Sequence, residues 1–170
     1  ALWGLASIGA MALLAVATLW YFTLGPGNSP RHETAKPKDV AFILNGAGLG
    51  SRKIESVVNG YESSRSLMGD HLDAYEIKLT QLDVTDVLEK TDGSLRWYRG
   101  DQLPQVIVDA IQFAAPYGEA EWFPSPSELL SEDTWVLPLQ ITLYGMTIQQ
   151  AQLTFAQPSK KLVFYVEQKI

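Results

Sequence analysis

The chain has 170 residues, no cysteine and a formal net charge of −6, and 46% of its residues are hydrophobic. The absence of cysteine excludes disulfide bonds, thiolate nucleophiles and cysteine-ligated metal sites. No run of lysine or arginine is dense enough to follow a phosphate backbone, so the sequence predicts no nucleic-acid binding.

Residues 1–24 contain no charged side chain, and Arg31 is the first charged residue. Because roughly 20 helical residues cross a hydrocarbon layer of ~30 Å, this segment is long enough to form a transmembrane helix. The alternative is a cleaved signal peptide, whose apolar stretch is usually shorter and ends at small residues. We predict a retained anchor whose aromatic side chains lie at the two membrane interfaces: Trp3, Trp20, Tyr21 and Phe22.

Three alanines, Ala6, Ala10 and Ala17, lie along one side of this predicted helix, where a neighbouring helix could approach closely. The positive charges that follow the segment, read literally, place the next domain in the cytoplasm. Small domains on an N-terminal anchor more commonly face outward. We therefore predict a single-pass protein of an inner, cytoplasmic-type membrane with an extracytoplasmic domain.

Residues 25–39 combine glycine, proline, serine and charges without apolar periodicity, which predicts a linker between the anchor and a domain at 40–170. "VAFIL" (40–44) is typical of a buried strand or a short apolar lead-in. Ser51 is a candidate N-cap for a helix to about Ser64, with an apolar stripe along one face: Ile54, Val57, Val58 and Tyr61.

Alternating apolar residues from Leu72 predict a strand, and Asp92-Gly93 predicts a hairpin turn after it. Residues 103–115 have the apolar spacing of a helix, and "SPSE" (125–128) is a capping box that predicts a short helix to about Leu130.

Three alternating runs near the C-terminus, "TWVLPLQITLY", "TIQQAQLTFA" and "KLVFYVEQ", predict an antiparallel three-strand meander. A common apolar face is expected on the first of these strands: Trp135, Leu137, Leu139, Ile141 and Leu143. The predicted fold is α+β, with an N-terminal transmembrane helix and a two-layer domain in which two or three helices cover the sheet.

"ILNGAGLGSRKI" (43–54) has the outline of a phosphate loop, with Gly46, Gly48 and Gly50 in a G-x-G-x-G spacing. This spacing fits neither the dinucleotide fingerprint nor the Walker A motif. An anion could still bind at the start of the predicted helix, beside Ser51 and Arg52. We favour the alternative that the glycines form a bend, because neither motif finds its context.

Asp70, His71 and Asp73 are the residues that resemble a metal site. On a strand, His71 and Asp73 share a side and lie about 6–7 Å apart, so one cation could bridge them. Such a set does not define a site without a distant histidine or cysteine. We interpret it as a solvated strand start, and we predict no metal, no cofactor and no catalytic residue.

Two aromatic pairs, Trp97 with Tyr98 and Trp122 with Phe123, lie in predicted turns and loops. Aromatic residues of this kind either anchor interfaces or fold back onto the core.

The sequence therefore supports two hypotheses. The first is a non-enzymatic, membrane-anchored accessory or assembly subunit whose domain docks on a larger integral membrane protein complex. The alternative is a membrane-tethered phosphate-binding, nucleotide-binding or hydrolytic domain that uses the loop from Gly46 to Lys53.

Overall fold

The computed structural model describes residues 11–16, 18, 35–50, 54–66, 68–88, 95–116 and 118–170. The helices are α1 (Pro37–Gly46), α2 (Val84–Leu88), α3 (Gln105–Ala114) and α4 (Pro126–Leu129). The strands are β1 (Ile54–Glu62), β2 (His71–Leu79), β3 (Tyr98–Arg99), β4 (Trp135–Tyr144), β5 (Thr147–Gln157) and β6 (Leu162–Lys169). The fold is α+β, as the sequence predicts.

All six strands form one antiparallel sheet in the order β1-β2-β6-β5-β4-β3. The predicted meander is β4, β5 and β6, and the predicted strand from Leu72 is β2. The predicted helices near 103–115 and 125–130 are α3 and α4. These four predictions are confirmed. The turn predicted at Asp92-Gly93 lies outside the described residues.

Most of the predicted anchor also lies outside the described residues. Residues 11–16 and 18 are helical with exposed side chains, and the Thr18 hydroxyl donates to the Leu14 carbonyl at 2.7 Å. Within the described ranges, no helix is long and apolar enough to cross a membrane. The structure thus gives the predicted transmembrane helix no support.

Helix α1 begins where the sequence predicts the end of a linker. Pro37 occupies the first turn, and the Asp39 carboxylate accepts a hydrogen bond from the Lys36 N–H at 3.0 Å, which satisfies a donor left free at the helix start. Val40, Ile43 and Leu44 are fully buried at helical spacing. The strand predicted at 40–44 is therefore wrong, and α1 begins at Pro37, inside the segment predicted as a linker. Five consecutive apolar residues fit a strand and a helix equally well.

Strand β1 replaces the helix predicted from Ser51 to Ser64. Its register against β2 shifts between Ile54 and Ser56 and again between Val57 and Asn59. The first shift puts Ile54 and Val57, which are three residues apart, on the side of α1, whereas Tyr61, four residues further on, is buried on the opposite side of the sheet. These spacings of three and four imitate a helical stripe. The predicted helix is wrong for this reason.

Both faces of the sheet are covered, so the domain has three layers instead of the predicted two. On one face, α1 packs against alternate residues of β2 and β6 in what we call the first core, which includes Ile43, Ile77 and Tyr165. On the other face, α3 packs against β5 and β6 in the second core, which includes Ile111 and Phe155.

Strand β4 changes face along its length. Its register against β5 shifts between Pro138 and Gln140, so Leu137 contacts the first core whereas Ile141 contacts the second. Leu143 is half exposed. The single apolar face predicted for this strand is therefore wrong, because a bulge redirects every side chain beyond it.

Candidate functional site

Five polar side chains lie side by side across five adjacent strands. The register pairs Glu62 with Asp73, Asp73 with Glu167, Glu167 with Gln152, and Gln152 with Gln140. We call these five residues the polar row. Because direct register partners share a face, the row crosses the sheet on the side of the first core.

The polar row begins where the apolar packing of the first core ends. The neighbouring row contains Tyr75 and Tyr165, which are register partners and almost fully buried. Phe42 of α1 contacts the Tyr165 ring edge-on at 5.8 Å. Beyond these rings the side chains are polar, and Glu62, Glu167 and Gln152 are partly exposed. The sheet face therefore changes from core to accessible surface at the two tyrosines.

Glu167 is the centre of a hydrogen-bonded network. Its Oε2 accepts from the Tyr165 hydroxyl at 2.8 Å, and its Oε1 accepts from Gln150 Nε2 at 3.2 Å. His71 Nε2 lies 3.4 Å from the same Oε1. The Tyr165 hydroxyl in turn accepts from Gln152 Nε2 at 2.7 Å. Partners on three strands thus hold the Glu167 carboxylate in one orientation.

Asp73 lies between two other carboxylates and is only 8% exposed. Its Oδ2 accepts from Arg65 Nη2 at 2.7 Å, whereas Oδ1 has no hydrogen-bond partner within the described residues. Burial raises the pKa of the Asp73 carboxyl, although the Arg65 guanidinium acts in the opposite direction. Carboxylates placed directly opposite one another are destabilising, so this arrangement costs free energy that other parts of the fold must offset.

The two tyrosines each donate to a carboxylate of the polar row. Tyr75 donates to Glu62 and Tyr165 donates to Glu167. Burial, followed by these hydrogen bonds to anions, raises the pKa of both phenols. The phenols therefore stay protonated and serve as fixed donors.

The structure gives different partners to the residues that the sequence grouped as a metal site. Asp73 is paired with Arg65, while His71 Nδ1 contacts the Gly69 carbonyl at 2.8 Å and its Nε2 faces Glu167. The Asp70 N–H donates to Ser66 Oγ at 2.9 Å within the β1–β2 loop. No cluster of three or more histidine, aspartate or glutamate side chains in the described part of the chain could hold a metal ion.

The glycine-rich loop ends a helix and does not begin one. The N–H groups of Ala47, Gly48, Leu49 and Gly50 all donate to carbonyls of α1, at 2.7–3.2 Å. Gly48 and Gly50 have φ of 71° and 74°, as a helix C-terminus requires. A helix C-terminus carries partial negative charge and disfavours an anion. Gly46 closes α1 itself, and Ser51 and Arg52 lie outside the described residues. The anion-site hypothesis thereby loses the helix start on which it depended.

The aromatic candidates divide into buried and accessible side chains. Trp97 is buried in the first core, and Phe123 in the second, where it meets Phe155 and Phe164 edge-on at 6.0 and 5.8 Å. Tyr98 lies under Arg96 at 5.0 Å and Trp122 lies 5.8 Å from Phe123, and both are partly exposed. Of these four candidates, only Tyr98 and Trp122 offer surface to a partner.

The remaining sequence-predicted residues are those of the anchor: Trp3, Ala6, Ala10, Ala17, Trp20, Tyr21 and Phe22. All of them lie outside the described residues.

Sequence reasoning missed most of the polar row, although a signal was present. Polar residues recur at a spacing of two, as in Gln150 and Gln152, His71 and Asp73, and Tyr165 and Glu167. Such spacing places each pair on one face of its strand. Only the strand register, which the sequence does not state, brings the pairs together.

Comparisons with protein-family models, with curated proteins and with solved structures give no match to this chain. The functional interpretation therefore depends on the geometry of the polar row and on the sequence of residues 1–24.

Proposed function

We propose that this protein is a single-pass, membrane-anchored accessory or assembly subunit without enzymatic activity. Residues 1–24 form the anchor in an inner, cytoplasmic-type membrane, and the domain is extracytoplasmic. The domain docks through its polar row on a larger membrane protein complex. The uncharged segment at 1–24 supports the anchor, since its length matches a bilayer.

The single observation that carries the docking function is the fixed orientation of Glu167. A carboxylate already held by Tyr165, Gln150 and His71 loses little side-chain freedom when a partner binds. Glu62 is oriented in the same way by Tyr75. Pre-oriented carboxylates on an accessible sheet face are suited to a basic partner surface, because charge complementarity provides specificity and speeds association.

Charge reversal in the polar row tests the docking surface. The full chain carrying a C-terminal tag is extracted from native membranes in mild detergent, and co-purifying proteins are quantified. We expect Glu167→Lys to lose the partner complex at least tenfold. The matched control is Glu132→Lys, which reverses an exposed carboxylate elsewhere and should keep the complex.

Two measurements complete the test. Thermal denaturation of both variants verifies that the loss of partner does not reflect unfolding. If Glu167→Lys folds and retains the same partners as Glu132→Lys, the docking surface is wrong. If the unaltered chain leaves the membrane in alkaline carbonate, or is purified without any other protein, the function itself is wrong.

A further inference from the structure

Five of the ten exposed large apolar side chains in the described domain lie at one end of the sheet. The β1–β2 loop, the β4–β5 turn and the end of β6 all lie there, because His71 pairs with Lys169, Lys169 with Gln150, and Ile170 N–H donates to the Gln149 carbonyl at 3.0 Å. We call this group the sheet-end rim, and its members are Met68, Leu143, Tyr144, Met146 and Ile170.

The rim is unusually exposed for apolar surface. Met146 is 100% exposed, Met68 83% and Tyr144 82%. Met146 follows Gly145, whose φ of 63° forms the turn that projects the hairpin tip. Grouped large apolar side chains on a surface mark a site of interaction with protein or lipid.

The short stretch of chain between the predicted anchor and the domain bears on whether the rim contacts protein or lipid. Ala35 packs against the first core, and the predicted anchor ends at Leu24. A chain extends at most ~3.6 Å per residue, so this connection can span no more than about 40 Å. The proposed anchor therefore holds the domain within about 40 Å of the lipid headgroups.

One lysine beside the rim is suited to lipid phosphates. Lys169 is partly exposed, and its Nζ lies 3.5 Å from the position that a Gly69 Cβ would occupy. Asp70 is the one acidic side chain of the β1–β2 loop. Arg65 of that loop is half exposed but pairs with Asp73, and the carboxylates of the polar row begin two residues further along the strands. Apolar tips with the long cationic side chain of Lys169 directly behind them match the boundary between acyl chains and phosphates.

We infer that the sheet-end rim inserts into the membrane interface and orients the domain with its strands directed at the bilayer. This inference rests on the proposed function, because it requires the anchor at residues 1–24. The partner it identifies is the lipid bilayer, while the polar row remains available on the side of the domain for a protein.

Spin labels test this insertion directly, since the chain has no cysteine and each introduced cysteine is unique. The full chain is reconstituted in phosphatidylcholine nanodiscs as Met146→Cys, as Met68→Cys and, for control, as Val106→Cys. Val106 is also an exposed apolar residue, but it lies in α3 near β3, away from the rim. Collision with oxygen is compared with collision with a water-soluble nickel chelate.

We expect the ratio of oxygen to nickel collision to be at least threefold higher at positions 146 and 68 than at 106. Equal ratios in a chain that resists carbonate extraction overturn the rim inference alone. Labels shielded from both reagents also overturn it, because they indicate self-association. Release of the chain by carbonate overturns the anchor and the inference together. Thermal denaturation of each labelled chain verifies its fold.

Discussion

The Tyr165 hydroxyl donates to Glu167 Oε2 at 2.8 Å while it accepts from Gln152 Nε2 at 2.7 Å. One buried phenol thus joins a carboxylate on its own strand to an amide on the neighbouring strand. This relationship connects the first core to the polar row.

Replacing Tyr165 with phenylalanine should destabilise the fold by roughly 1–3 kcal/mol, because Gln152 and Glu167 each lose a partner at the edge of the core. Chemical denaturation of the full chain in detergent measures the free energy of unfolding. Tyr144→Phe is the matched control, since that tyrosine is 82% exposed, and it should leave stability unchanged. Equal effects of the two substitutions would contradict the network.

Asp73 should make stability depend on pH. Because burial raises its folded-state pKa, the stability that the neutral carboxyl contributes is present below the unfolded pKa of about 3.9. That contribution is lost as the pH rises through the folded-state pKa. We expect Asp73→Asn to melt at a higher temperature than the unaltered chain at pH 7, with the difference disappearing below about pH 4.

Arg65→Gln is the control for Asp73→Asn, and it should change the melting temperature in the opposite direction. Removing the guanidinium leaves the buried anion without its partner, so this variant should melt at a lower temperature at pH 7. If Asp73→Asn lowers the melting temperature as much as Arg65→Gln does, the ion pair outweighs the burial of Asp73.

Substitutions in α1 can distinguish a helix from a strand at residues 40–44, because the two structures bury different side chains. Ile43 is fully buried whereas Phe42 is 53% exposed. Ile43→Ala should cost about 2–5 kcal/mol of unfolding free energy, and Phe42→Ala only about 0.5–1.5 kcal/mol for its edge contact with Tyr165. A strand would place Val40, Phe42 and Leu44 on one face, and the order of the two losses would then be reversed.

Gly100 is predicted to tolerate no side chain. It follows β3, and a Cβ there would lie 2.5 Å from the carbonyl oxygens of Leu129 and Ser131. Backbone atoms cannot withdraw as a flexible side chain can, so Gly100→Ala should cost at least about 1–3 kcal/mol. Gly46→Ala is the control, because the nearest atom to its added Cβ is Leu139 Cδ1 at 3.9 Å. Differential scanning calorimetry compares the two.

The sequence predicts best those elements whose conformation depends on residues close together in the chain. Ser125 and Glu128 form the predicted capping box, with the Ser125 N–H donating to Glu128 Oε2 at 2.9 Å. The meander follows from alternation, and the apolar stripe of α3 from its period. These features involve neighbours within one or two turns of chain, so the residues themselves specify them.

The predictions fail where the direction of a side chain depends on how two strands pair. A bulge in β1 lets Ile54 and Val57 share a face at a spacing of three, and another in β4 moves Ile141 to the face opposite Leu137. The polar row depends on the same information, since Glu62, Asp73 and Glu167 are distant in the chain and meet only through register. A residue pattern records which side of its strand each group faces, but not which group will lie beside it.

Pro138 lies on β4, outside the two residues, Trp135 and Val136, that β3 pairs with. Proline has no N–H to offer to another strand, and the register shift beside it interrupts the backbone spacing. Two copies meeting along this edge therefore cannot form a continuous ladder. Under the proposed anchor, copies confined to one membrane would meet often, and this interruption disfavours their pairing along β4.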